Sequence, residues 1–195
     1  NGTIHAGDKV VDSLHIDLSS KNYLFKNDLA MLAVIAANQW KRPICFSNPG
    51  TAQDLGLDKY TRLNGLTYQL VPIENTNTGG VNLDVAYKNV MQHFGYGNAG
   101  KKGVYFDEEN RRRLNTIKLA TAQIARSLAQ AGRKEEARRI LHRFDDHVSE
   151  DNVPYGFTTN RGNIHNIFSV QFLEACYLAD DWPLANKVAN SLKKD

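Results

Sequence analysis

Cysteine is nearly missing from this chain: Cys45 and Cys176 are the two in 195 residues. Each is flanked by apolar residues, so the pair reads as buried small hydrophobes rather than as a disulfide framework or a metal site. Long hydrophobic runs are missing as well. The longest, 29–37, has nine residues, far short of the ~20 that cross a bilayer, and the chain as given is expected to be soluble. Neither sign of charge dominates, with 24 Lys and Arg against 21 Asp and Glu. The charges are interspersed and form no basic stripe, which argues against a nucleic-acid partner. The start, Asn1-Gly2-Thr3, has no Met, no basic region and no apolar signal segment, and is read as the beginning of a fragment of something longer.

Motifs for chemistry are equally sparse. The six histidines (5, 15, 93, 142, 147, 165) show no H-x-x-x-H spacing, and His142 and His147, five apart, do not share a helix face well enough for a zinc pair. There is no G-x-S-x-G, and neither cysteine has a local catalytic signature. The stretch "GYGNAGKK" (95–102) matches G-x-G-x-x-G and misses a P-loop only at Lys102. A dinucleotide site needs such glycines after a strand and before a helix, where free N–H groups meet the phosphates. Here they follow a helical stripe, so the stretch is expected to be a flexible loop and no nucleotide partner is expected. No catalytic residue, cofactor site or metal site is assigned.

What is present is a pattern of elements. Residues 10–18 ("VVDSLHIDL") alternate as a strand would. A helix over 29–37, capped by Asn27 or Asp28, is apolar all round and is expected to be buried. "RPICFS" and 66–73 ("LTYQLVPI") read as strands, with turns at "NPG" (48–50) and "NTNTGG" (75–80). Leu83, Tyr87, Val90, Met91 and Phe94 form one helical stripe, with Gly95 at the position of a left-handed cap. Beyond residue 103 the pattern is helical. Asp107, Glu108 and Glu109 begin a long helix that Gly132 ends. Ala137 to Val148 forms a second helix, 164–179 a third, and Asp181-Trp182-Pro183 starts a fourth. The segments 128–141 and 176–189 align as two hairpins with a small residue, Ala137 or Ala185, after each turn. The alignment resembles a degenerate tetratricopeptide-type pair, though the 48-residue offset departs from the ~34 of a regular array; an ordinary helical bundle is the alternative.

Two charged patches stand out. Arg111-Arg112-Arg113 reads as a solvated face partly paired with the acids of 107–109, the alternative being a phosphate or lipid-headgroup contact. In "NQWKRPICF" (38–46), Trp40 is expected to anchor in the core while Lys41 and Arg42 reach solvent. The alternative is that Trp40 stacks on a sugar and Arg42 pairs with a phosphate. The candidate ligand or partner surface is Trp40, Lys41 and Arg42, with Tyr155 and Arg161 from the loop "SEDNVPYGFTTNRGN".

The ordered series "FKNDLAMLAVIAANQWKRPICFS", "GLDKYTRLNGLTYQLVPI", "GVNLDVAYKNVM", "GVYFDEENRRRL" and "DNVPY" resembles the soluble C-terminal region of a bacterial family of large membrane proteins. That family is grouped with membrane protein O-mannosyltransferase-like enzymes. The resemblance covers roughly 10–195, with Cys45 a minor departure. It implies a multi-pass glycosyltransferase using a lipid-linked sugar, with this region following the last span on the extracytoplasmic (periplasmic) face. The catalytic carboxylate would lie in the membrane part, so no residue here inherits a catalytic role.

The fold expected is α+β: a small N-terminal α/β portion with few strands (1–103) packed on a C-terminal helical-hairpin, tetratricopeptide-like module (104–195). The function expected is a non-catalytic accessory domain of such a glycosyltransferase, serving acceptor-protein docking or stability. Its partners would be a protein or acceptor polypeptide, and the membrane through the missing N-terminal part. A tetratricopeptide-like interaction scaffold unrelated to sugar transfer is the alternative.

Overall fold

The computed structural model describes residues 4, 7–19, 21–75, 80–156 and 164–193. The architecture is mixed α and β, with a small sheet in the N-terminal half and helices throughout the C-terminal half. Two compact units divide between Asn82 and Leu83.

In the first unit, α1 (Lys26–Asn38) precedes β1 (Cys45–Phe46), α2 (Pro49–Gln53), a 3-10 turn (Asp58–Tyr60), β2 (Thr61–Leu63), β3 (Tyr68–Leu70) and β4 (Gly80–Val81). The sheet order is β1-β3-β2-β4. β3 pairs antiparallel with β1 and β2, and β4 runs parallel to β2. Strands β2 and β3 form a hairpin at Asn64-Gly65, where Gly65 takes φ +128° and Asn64 N–H donates to Thr67 O at 2.9 Å. The core gathers Phe46, Ala52, Leu55, Leu57, Tyr60 and Leu70, so most of it comes from turns and short elements.

Residues 10–18 do not form a strand, although they alternate. They run beside the core, bending at residues 12–13, and are held at separate points: a single bridge joins Val10 to Ile73, Val11 N–H donates to Pro72 O and Asp17 N–H to Leu55 O. The Tyr60 hydroxyl accepts from His15 N–H. A ladder needs consecutive partners, and here the partners lie on different elements.

Helix α1 corrects two expectations. Its N-cap is Phe25, and Asp28, one turn in, accepts from Phe25 N–H at 3.0 Å and from Lys21 Nζ at 2.9 Å. Lys21 first, then the Phe25 N–H, holds the Asp28 carboxyl below its ordinary range. Nor is the helix buried all round. Met31, Leu32 and Ile35 pack against the core, while Leu29 and Val34 are 54% and 59% exposed. Cys45 is also exposed, since its short strand lies at the sheet edge.

The second unit comprises α3 (Leu83–Gln92), α4 (Glu108–Gln130), α5 (Lys134–His147), α6 (Ile164–Leu178) and α7 (Trp182–Leu192). Asp107 caps α4 by accepting from Asn110 N–H, and Asp181 caps α7 by accepting from Leu184 N–H. Gly132, at φ +80°, turns the chain from α4 into α5. α4 packs on α3, α5 and α6, and α6 on α7. Ala137 and Ala185 are both fully buried. Arg138 Nε donates to Ala179 O at 2.7 Å and Lys134 pairs with Asp180 at 2.6 Å, so α5 secures the turn between α6 and α7.

The composition shift at 103/104 is not where the contacts divide. Arg143 of α5 donates to Val90 O at the end of α3, and Arg133 pairs with Asp84 at its start. These bonds place α3 with α4 and α5.

Gly56 is a tight position in the first unit, close against backbone. It sits at φ +64°, and a Cβ there would lie 2.6 Å from Asp17 Cβ and 2.9 Å from Asp17 N. Gly56→Ala is expected to lower stability by about 2–4 kcal/mol in urea unfolding, from left-handed strain plus displacement of residues 15–17. Gly97→Ala, at φ +57° in open space, should lose only about 1–2 kcal/mol.

Candidate functional site

The corner after α1 is built by Asn38. Its side-chain oxygen accepts from Arg42 N–H at 3.2 Å and its amide donates to Arg42 O at 2.7 Å. That clasp closes a loop in which Gln39 and Trp40 take φ +48° and +58°. Two consecutive left-handed non-glycine residues are costly, and they turn the indole out of the core. Trp40 is 46% exposed, which corrects the expectation of a buried anchor. It lines an open groove of about 500 Å³ with Val11, Leu14, Ile16, Leu32 and Ile35. Lys41 and Arg42 are exposed beside it.

The other candidates do not join this corner. Tyr155 is 2% exposed in the second unit, where its hydroxyl donates to Asp145 Oδ1 at 2.9 Å and its ring lies 5.4 Å from that of Phe172. It is a core residue, and burial foremost, then the Asp145 carboxylate, raises its phenol well above the ordinary range. Arg161 lies outside the described residues. Arg112 and Arg113 both bond Glu109, as the solvated-face reading expects, whereas Arg111 is half-buried.

The loop 95–102 is neither free nor at a helix N-terminus. Tyr96 and Ala99 are buried, and Asn152 Nδ2 donates to Ala99 O and Lys101 O at 2.7 and 3.1 Å. A Cβ on Gly100 would meet His147 O at 3.0 Å. The left-handed glycines are Gly97 and Gly103 rather than Gly95. Gly100 serves close packing on the end of α5, and with the Asn152 bonds it holds in place a loop that was expected to be flexible.

Two features escaped the sequence reading. Lys118 is fully buried in α4, with Nζ 2.9 Å from Ser169 Oγ and 5.3 Å from the centre of the Tyr155 ring. Burial lowers its pKa to about 7, against a weaker opposing pull from Glu150. The spacing Leu114, Lys118, Thr121, Ala125 would have flagged it, because those residues share one helix face. The second is a stripe on α6, where Ile167, Val170 and Tyr177 point outward and are 52%, 54% and 41% exposed. Trp182, 58% exposed, meets Tyr177 edge-on at 5.4 Å and extends the stripe onto α7.

Residues 1–89 match the family model described as TMEM260-associated domain 2. No curated protein and no solved structure matches the chain. The matched part takes in the whole first unit and most of α3, and is similar to a domain associated with a membrane-protein family. Among the described residues no helix is long and apolar enough to cross a membrane, and no group of three or more His, Cys, Asp or Glu is placed to hold a metal ion.

Two outcomes follow from these sites. Half-exposed Trp40 predicts that Trp40→Ala lowers unfolding free energy by no more than about 1.5 kcal/mol, against the 3–5 kcal/mol of a core tryptophan. Lys118 sets a pH dependence. The unfolded amine holds its proton up to an ordinary value of 10.5, whereas the folded one releases it near 7. Between those values the unfolded state binds more protons, so stability rises with pH across the window and levels off above it. Lys118→Met should remove this rise and increase the melting temperature at pH 7, as read by thermal scans from pH 6 to 10.

Proposed function

We propose that the chain is an accessory domain of a membrane-embedded glycosyltransferase of the O-mannosyltransferase-like type. It would lie on the extracytoplasmic side and dock the acceptor polypeptide without carrying out chemistry itself. The match of residues 1–89 to a domain associated with a membrane-protein family supports the setting. The observation that carries the docking role is the exposed stripe of Ile167, Val170, Tyr177 and Trp182. Large aromatic and aliphatic groups held on paired helices lose little entropy on binding, which suits them to anchor a polypeptide segment. Glu174 on the same helix pairs with Arg126 of α4 at 3.5 Å, adding polar groups beside the stripe.

A tetratricopeptide-like scaffold without any link to sugar transfer is the second reading, favoured by the two hairpins and their buried Ala137 and Ala185. The test uses membranes carrying the full-length parent protein, a lipid-linked mannose donor and an acceptor polypeptide. Tyr177→Ala with Trp182→Ala should raise KM for the acceptor about tenfold or more, at unchanged kcat and donor KM. Sugar transfer indifferent to these substitutions sinks the docking role. Polypeptide binding by membranes that transfer no sugar favours the scaffold.

A further inference from the structure

Beyond the exposed Lys26 and Asn27 of its first turn, the outward face of α1 is apolar. Leu29, Ala30, Ala33, Val34 and Ala37 are exposed there, over a helix of 13 residues, about 20 Å. Its one acid, Asp28, is turned inward, 2% exposed, and held by Lys21. Cations stand at both ends: Lys26 opens the helix, and Lys41 and Arg42 follow it, all exposed and with no ion pair among the described residues. Aromatic rings flank the same ends. Tyr23 and Phe25 are 66% and 54% exposed, and Trp40, 46% exposed beyond the Asn38 clasp, lines the groove at the helix's inner edge.

We propose that α1 is a membrane-contact helix that seats its outward face in the interfacial region of an anionic lipid bilayer. Cations attract the headgroups, aromatic rings suit the interfacial depth, and the apolar strip between them enters the acyl boundary. The inner side, through Met31, Leu32 and Ile35, ties the helix to the first unit's core, so the helix is preformed and pays no folding cost on contact. Charge selects the occupant. A second copy laid antiparallel on this face would set Lys26 of one chain against Lys41 and Arg42 of the other, and like charges disfavour that pairing. Anionic headgroups complement all three. Asp12, which lines the groove beside α1, is a carboxylate that subtracts from this attraction. The inference stands on α1 alone and does not depend on the stripe of α6.

The experiment is flotation of the full 195-residue chain with vesicles of phosphatidylcholine alone and of phosphatidylcholine with phosphatidylglycerol in equal parts. The chain should float with the anionic vesicles and stay behind with the neutral ones. Lys41→Glu with Arg42→Glu should cut partitioning by about tenfold or more, and Val34→Glu should abolish it. Val34 is exposed, so circular dichroism should find that variant folded. Val34→Ser, milder at the same site, repeats the test if the glutamate variant does not fold. Absence of flotation with both vesicles overturns the proposal. So does flotation that neither Val34 variant reduces, or a concentration-dependent dimer, without vesicle binding, that either variant dissociates.

Discussion

The burial of α4 on several sides is the constraint on which the second unit depends. This helix of 23 residues buries Ala120, Ala122, Ala125 and Ala129, and such small side chains let neighbouring helices come close. With α3, α5 and α6 all packed against it, little of its inner surface is left to solvent. The same enclosure traps Lys118, whose amine reaches one hydroxyl and an aromatic face instead of water. An isolated buried charge is expensive, and the group responds by holding its proton less tightly. Close helix packing and a weakly protonated lysine therefore have one cause.

The first unit solves a different problem. Its strands are two or three residues long and cannot by themselves make a covered sheet. Stability comes from where turns bring large groups together: Tyr60 takes a backbone N–H from the segment 10–18, and Gly56 lets that segment approach to contact distance. Arg62 adds a two-point bond to Asp8, at 2.8 and 2.6 Å, with both side chains largely enclosed. A core assembled this way has only enough surface for one side of α1. The other side stays exposed, which is why an apolar helix becomes the unit's most distinctive outer surface.

The helices of the second half were legible because their signals are local. Asp107 and Asp181 bond N–H groups three residues on, Gly132 takes the left-handed turn, and the apolar stripes recur at helical spacing. The strands were less legible. β2 and β4 are too short for alternation to register, although Asn64-Gly65 was an available hairpin signal. Residues 10–18 show the reverse failure: only Val11 and Leu14 of the segment pack against the core, Ile16 and Leu18 stay exposed, and the hydrogen bonds go to scattered partners.

The candidate site was legible only in its residue types. The sequence picked the corner of Trp40, Lys41 and Arg42 for its aromatic and cations, and the structure keeps those three together on the surface while placing Tyr155 in a core. By itself the sequence determined the longer helices and, to within a few residues, where those of the second unit begin and end, because capping and periodicity act locally; the stretch read as a turn at 48–50 proved to be the start of the short α2. Tertiary structure alone decided which apolar face is covered, which lysine is enclosed and which tyrosine is lost to the interior. Burial depends on what distant parts of the chain bring to a surface, and no local pattern carries that information.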